Sequence, residues 1–173
     1  KVIVEEYMIG NEVSVEVVVF NGEIHILTIT DKLTTGAPYF VEMGHSQPAQ
    51  LSEIEKQRIK ILTCRAIEAL KIKYGSAHVE IMLTKDGPKI IELGARMAGD
   101  YIATHLVPLS TGIDMVKAAI DVAMGFKPDV TPAFNKGSAI RYLDILAGKI
   151  SVISGLELAK NIDGIKECNI NHR

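Results

Sequence analysis

The sequence predicts an α+β fold: a mainly antiparallel sheet with packed helices, plus a small β-rich lobe at the C-terminal end. Three observations predict it. Residues 12–20 alternate and run into Asn21-Gly22, the strongest short hairpin signal. A second pair of apolar segments flanks Lys85-Asp86-Gly87. The helical patterns fall between these hairpins, which argues against a strict β-α-β-α order and the parallel sheet it would build.

The elements follow in order. Residues 2–9 are rich in β-branched types and read as a strand. The opening Lys1-Val2-Ile3-Val4 looks like the middle of a strand, as expected of a piece of a longer protein. From Glu12 to Phe20, Val13, Val15, Val17 and Val19 share one face, and Glu12, Ser14 and Glu16 the other. A two-residue turn at Asn21-Gly22 pairs Phe20 with Glu23 and, by regular counting, Glu12 with Asp31. Residues 32–50 have no period and contain Gly36, Pro38, Gly44 and Pro48, so they read as a long functional or mobile loop.

Ser52-Glu53-Ile54-Glu55 has the form of a capping box. It opens a helix expected to run to about Lys73, with Ile54, Ile61, Leu62 and Leu70 near one face. The second hairpin follows, spanning residues 77–96. Small residues after Arg96 lead to helical patterns near 100–109 and 114–124, which end before Pro128 and Pro132. The tail reads as strands at 138–145, 149–153 and 165–170 around a short helix at 156–161. These patterns divide the chain into 1–135 and a smaller 136–173.

Composition bounds the function. The chain has 173 residues, 47% hydrophobic and 23% charged, as in an ordinary globular protein. The net charge of -2 lacks the positive field that nucleic acid or an anionic membrane surface requires. No apolar run reaches the roughly 20 residues of a membrane span. Cys64 and Cys168 have neither metal nor redox spacing, which fits a reducing, cytoplasmic setting.

The second hairpin carries chemistry. A three-residue loop at Lys85-Asp86-Gly87 pairs Thr84 with Pro88 and sets Glu80 opposite Glu92, with Cβ atoms about 5 Å apart. Like charges that close need a cation between them, or both face solvent. A hard divalent ion held by carboxylates meets the first case. If the turn has two residues instead, the pairing slips by one. Arg96 is four residues beyond Glu92. It either grips a carboxylate or phosphoryl group, or pairs with Asp100 at the surface.

The first hairpin offers a nucleotide edge. Glu5, Glu6, Tyr7 and Met8 precede a bend at Ile9-Gly10-Asn11 whose backbone groups suit an adenine edge. Glu12 suits ribose hydroxyls. The turn brings Lys32 back toward Glu12, but strict alternation points Lys32 away from the face of Asp31. Taken singly, each of these acids also reads as a solvated strand residue. His25, His45, His105 and His172 show no metal-ligand spacing. His78 lies two residues from Glu80 on the same face, either as its partner or as a half-buried strand histidine.

Together, "VEEYMIGNEVSVE", Lys32 after a hairpin, and "HVEIML…IIELGAR" resemble the ATP-grasp ligases over nearly the whole chain. The likeness is strongest to L-amino-acid (dipeptide) ligases and related carboxylate–amine ligases. Carbamoyl phosphate synthase, biotin carboxylase and phosphoribosylglycinamide synthetase are similar more distantly. The resemblance implies that Glu5, Glu6, Tyr7 and Met8 form a hinge strand around adenine and that Glu12 binds ribose. It implies that Lys32 approaches the phosphates and that Glu80 and Glu92 hold magnesium, with manganese as a substitute. Arg96 would orient the substrate carboxylate or acyl phosphate, and Arg141 would line the same cavity.

The implied reaction is ATP-dependent joining of a small-molecule carboxylate and an amine through an acyl phosphate. Two departures stand out. Gly94 occupies a position where many of these ligases carry a metal-binding asparagine. The N-terminal lobes, with their glycine-rich loop and a further lysine, have no counterpart here. The chain alone is therefore expected to bind nucleotide weakly and to catalyse nothing. The full protein is expected to act as an enzyme, in a homo-oligomer if subunits associate. The competing reading is a non-catalytic α+β interaction or regulatory module.

Overall fold

The computed structural model describes residues 2–145 and 147–170. His172 lies outside them, as do Lys1, Leu146, Asn171 and Arg173. The elements are β1 (Asn11–Phe20), β2 (Glu23–Thr34), β3 (Glu42–Gln47), α1 (Glu53–Ala69), β4 (Gly75–Thr84) and β5 (Gly87–Gly94), followed by a π-helical turn (Ile102–Leu106). After it come α2 (Val107–Thr111), α3 (Met115–Ala123), β6 (Ser138–Arg141) and α4 (Leu156–Lys160). One six-stranded sheet runs β5-β4-β1-β2-β3-β6. Every neighbouring pair is antiparallel.

The alternation in β1 sorts the two faces of the sheet. Val13, Val15, Val17 and Val19 pack with Ala77, Val79 and Ile81 of β4 and with Ile59 and Ile67 of α1. Val18 and Leu27, from the opposite face, pack with Ile102, Leu106, Val107, Met115 and Val122. Ser52 caps α1 as expected: its hydroxyl accepts from the Glu55 amide, and the Glu55 carboxylate accepts from the Ser52 amide. Asp114 caps α3 in the same way, accepting from the Lys117 amide at 2.8 Å.

Several elements differ from expectation. Residues 2–9 form no strand, and Val2, Val4, Tyr7 and Ile9 are exposed. β1 already pairs with β2 on one edge and β4 on the other, so a strand arriving through Gly10 finds no free ladder beside it. A Cβ at Gly10 would lie 2.0 Å from the Leu83 carbonyl oxygen, so the chain passes tightly there. The expected loop at 32–50 contains the end of β2 and all of β3. β3 reads Glu-Met-Gly-His-Ser-Gln and has no apolar alternation, because it buries polar groups through side-chain hydrogen bonds. In α1 the buried face is Ile59, Thr63 and Ile67, while Ile54, Ile61 and Leu70 are exposed. The polar Thr63 at the centre of that face hides its phase.

The chain forms two compact units, 1–143 and 144–173. β6 belongs to the first, where it pairs with β3, and it is shorter than the expected 138–145. Among the described residues of the second unit, α4 is the one regular element, so the expected β-rich lobe is not seen. Residues 149–153 and 165–170 have strand-like composition but no paired neighbour, and composition without a ladder does not make a strand. No helix among the described residues is long and apolar enough to cross a membrane.

Candidate active site

The polar face of the sheet collects ionisable groups from four strands. Even-numbered residues Glu12, Ser14 and Glu16 of β1 face the same way as His78 and Glu80 of β4, because Ser14 pairs with Glu80 and Glu16 with His78. His45 of β3 pairs with Lys32 of β2 and joins them.

Lys32 reaches this face through a bulge. Glu16 pairs with Thr28 but Val17 with Ile26, so Leu27 is an extra residue in β2. Asp31 consequently faces Val13 instead of Glu12, and Lys32 is next in line for Glu12. This overturns the regular count and removes the apparent conflict with alternation. The Lys32 ammonium hydrogen-bonds Glu12 and lies 2.7 Å from Glu42 Oε1 and 3.2 Å from Glu80 Oε1. Its side chain is only 4% exposed. Burial pulls its pKa down, but hydrogen bonds to Glu12 and Glu42 and the charges of Glu12 and Glu80 outweigh burial and raise it.

Glu80 is held from two sides. His78 Nε2 is 3.2 Å from Glu80 Oε1, and His78 Nδ1 is 3.0 Å from Glu16 Oε2. The hydrogen bond from His78, with the charge of Lys32, holds the Glu80 carboxyl at about 2 against the opposing effect of burial. Burial alone would lower His78, but its bonds to Glu16 and Glu80 raise it to about 9.

Glu80 does pair with Glu92, by a different route from the expected one. The turn has two residues, with Thr84 opposite Gly87, and a bulge at Ile91 then restores the Glu80–Glu92 register. The Glu92 carboxylate lies 3.8 Å from the Arg96 guanidinium, and both side chains are more than half exposed. Arg96 therefore pairs with Glu92, while Asp100 turns to His45 Nε2 at 3.5 Å. Gly94 gives Arg96 its room: a Cβ there would lie 3.2 Å from Arg96 Cγ and Nε.

Two oxygen-rich groups have ligand atoms within 4.8 Å of one another: Glu12, Glu42 and Glu80, and Glu42, His45 and Asp100. Carboxylate oxygens dominate both, which suits a hard divalent cation such as magnesium. The sequence does not announce the grouping of Glu42, His45 and Asp100. Glu42 and His45 lie in a segment without apolar period, and it is the pairing of β3 with β2 that turns them toward Lys32. Asp100 is brought in by backbone turned left-handed at Asp100 and Tyr101, with φ of 48° and 60°. His45 is buried, and its Nδ1 has no partner among the described residues.

Other expected site residues lie apart from this cluster. Arg141 donates to the His45 carbonyl at 2.8 Å and to Ser46 Oγ at 2.8 Å, tying β6 to β3. Glu6 accepts from Lys89 at 2.8 Å on the surface, and Tyr7 is 71% exposed. Glu5 is exposed and Met8 half-buried in the same irregular segment, so the expected hinge strand of Glu5, Glu6, Tyr7 and Met8 is not formed. Two shallow hollows, about 200 and 590 Å³, are lined around Glu55 and Pro88 and around Asp31 and Gln47.

Comparison with known proteins follows the same lines. Residues 1–105 match the ATP-grasp domain. Carnosine synthase 1 of Homo sapiens is 30% identical over 123 residues, covering 71% of this chain and 15% of that protein. A D-alanine–D-alanine ligase of Flavobacterium johnsoniae is 32% identical over 99 residues, covering 54% of this chain and 30% of the ligase. The crystal structure of an L-amino acid ligase from Bacillus licheniformis superposes with a TM-score of 0.81 at 29% identity, covering 93% of this chain and 42% of the ligase. The chain thus spans less than half the length of each of these relatives.

Proposed function

The chain belongs to the ATP-grasp domain family, and from that premise we propose that the complete protein is an ATP-dependent, ADP-forming carboxylate–amine ligase. The observation that carries this reading is the nearly buried Lys32 ammonium set among Glu12, Glu42 and Glu80. A fixed cation beside several carboxylates is the equipment for handling phosphate charge and a counter-ion together.

In this reading the substrate carboxylate attacks the γ-phosphorus of ATP. The bond to the bridging oxygen breaks, ADP leaves, and an acyl phosphate forms. The amine then attacks the acyl carbon, inorganic phosphate leaves, and the surplus amine proton passes to solvent. Lys32 sits against the phosphates, and Glu12 accepts from the ribose hydroxyls. Arg96, exposed at the end of β5, orients the substrate carboxylate. Arg141, through its bonds to β3, keeps His45 and Ser46 in place beside it. Glu42 and Asp100 offer anionic acceptors to the cationic group of an amino substrate. Glu80 and Glu92 would hold magnesium, which when bound neutralises phosphate charge. Catalysis rests on positioning and charge, with no side-chain nucleophile.

The test is phosphate release by the full-length protein across small carboxylic acids and amines. Release requiring both substrates, ATP and magnesium, and lost in Lys32→Ala, is the expected result. Absence of magnesium-dependent ATP binding by calorimetry sinks the reading.

A further inference from the structure

Glu16 takes no part in the reaction above, yet it is the one carboxylate among the described residues that is completely buried. Its Oε1 accepts from Ser14 Oγ at 2.9 Å and lies 3.5 Å from Thr30 Oγ1, and both its oxygens lie within 3.1 Å of His78 Nδ1. The other ring nitrogen of His78 faces Glu80 Oε1 at 3.2 Å. The ring bridges the two carboxylates, Nδ1 toward Glu16 and Nε2 toward Glu80. The imidazole is pinned between one carboxylate that never meets solvent and one that borders the Lys32 cluster.

Packing alone does not account for this. A buried ion pair is often no more stabilising than apolar residues of the same volume, and Val18 of the same strand shows that this face accepts them. What the chain Glu16–His78–Glu80 fixes is direction. Pairing Glu16 with His78 and Ser14 with Glu80 sets the ring between the two carboxylates, and its Nε2 faces one oxygen of Glu80. Partners of this kind orient ligating carboxylates and commonly change metal affinity about 10–100-fold.

We propose that Glu16 and His78 are positioning residues that hold the Glu80 carboxylate ready for a divalent cation. The proposal rests on the reading of Glu80 as a metal ligand. Substitutions of opposite geometry at residue 78 test it in the full-length protein, with Mn2+ alone as the probe and calorimetry as the readout. The amide nitrogen of glutamine falls near the place of histidine Nε2 and keeps the bond to Glu80. That of asparagine falls near Nδ1 and keeps the bond to Glu16 only. His78→Asn weakens Mn2+ binding about 10-fold or more, Glu16→Gln weakens it less, and His78→Gln stays close to wild type.

The opposite order, with His78→Gln weak and His78→Asn normal, or equal binding by all variants, overturns the proposal while leaving the metal site standing. Wild-type protein that binds no Mn2+ overturns both. Ring 15N shifts of His78 in the wild type give a readout that needs no variant to fold. The Nε2 resonance, which reports the bond to Glu80, shifts on adding Mg2+, and ring shifts unmoved at saturating Mg2+ overturn the proposal.

Discussion

Lys32 and Glu80 lie on strands separated by β1, yet the Lys32 ammonium reaches across it to within 3.2 Å of the Glu80 carboxylate. The span holds because Glu12, on the intervening strand, binds the same ammonium. Removing that ammonium leaves three partly buried carboxylates without a counter-charge. Lys32→Met is expected to destabilise the fold by about 1–3 kcal/mol, less than for a fully buried pair because the acids are part-exposed. Millimolar Mg2+ restores most of the loss, as read by urea denaturation with and without the ion.

Stability of the metal-free protein depends on pH at both ends. The folded pKa of His78 is raised from 6.5 to about 9, so its contribution is complete below 6.5 and is lost as pH rises through 9. For Glu80 it is depressed from 4.5 to about 2, so that contribution is complete above 4.5 and is lost as pH falls toward 2. The maximum therefore falls between about pH 4.5 and 6.5, with roughly 3 kcal/mol lost on the alkaline side. Thermal melts in EDTA across pH 3–10 check this, and His78→Gln flattens the alkaline limb.

Gly94→Ala tests the room given to Arg96. The added Cβ meets a flexible side chain at 3.2 Å, so the fold is expected to lose less than about 1 kcal/mol. The guanidinium must move, and in the full-length protein the KM for the carboxylate substrate rises while that for ATP stays.

Gly44→Ala is predicted to be worse, although it is further from Glu80. A Cβ there would lie 2.4 Å from the Ile140 carbonyl oxygen, which is backbone and cannot swing aside. A loss of about 1–3 kcal/mol is expected. Hydrogen exchange should show it concentrated in β6, since Arg141 loses its bond to the His45 carbonyl.

Strong local signals carried much of the fold. The valine alternation and Asn21-Gly22 specified β1, β2 and the face bearing Glu12, and the capping box located the start of α1. The acid pair in the second hairpin also emerged, but through two departures that cancel: a shorter turn and a bulge at Ile91. Bulges leave no mark on apolar periodicity, so the reach of Lys32 to Glu12 was not legible. Neither was β3, whose strand is held by Gln47 donating to Thr30 and accepting from Ser110. The exposed segment at 2–9 misled for the converse reason: its residues favour strand, but both edges of β1 were already occupied.

The extra residue Leu27 works like a frameshift within the strand. Asp31 and Lys32 are adjacent and opposite in charge, and they point to opposite sides of the sheet. Asp31 accepts from the Gln50 amide on one side, and Lys32 meets Glu12 on the other. One residue inserted between Leu27 and Asp31 would move Asp31 opposite Glu12 and put a further anion where the cation now stands. The sign of the charge presented beside Glu12 thus hangs on counting parity over half a strand. Insertions there are expected to be far less tolerated than substitutions.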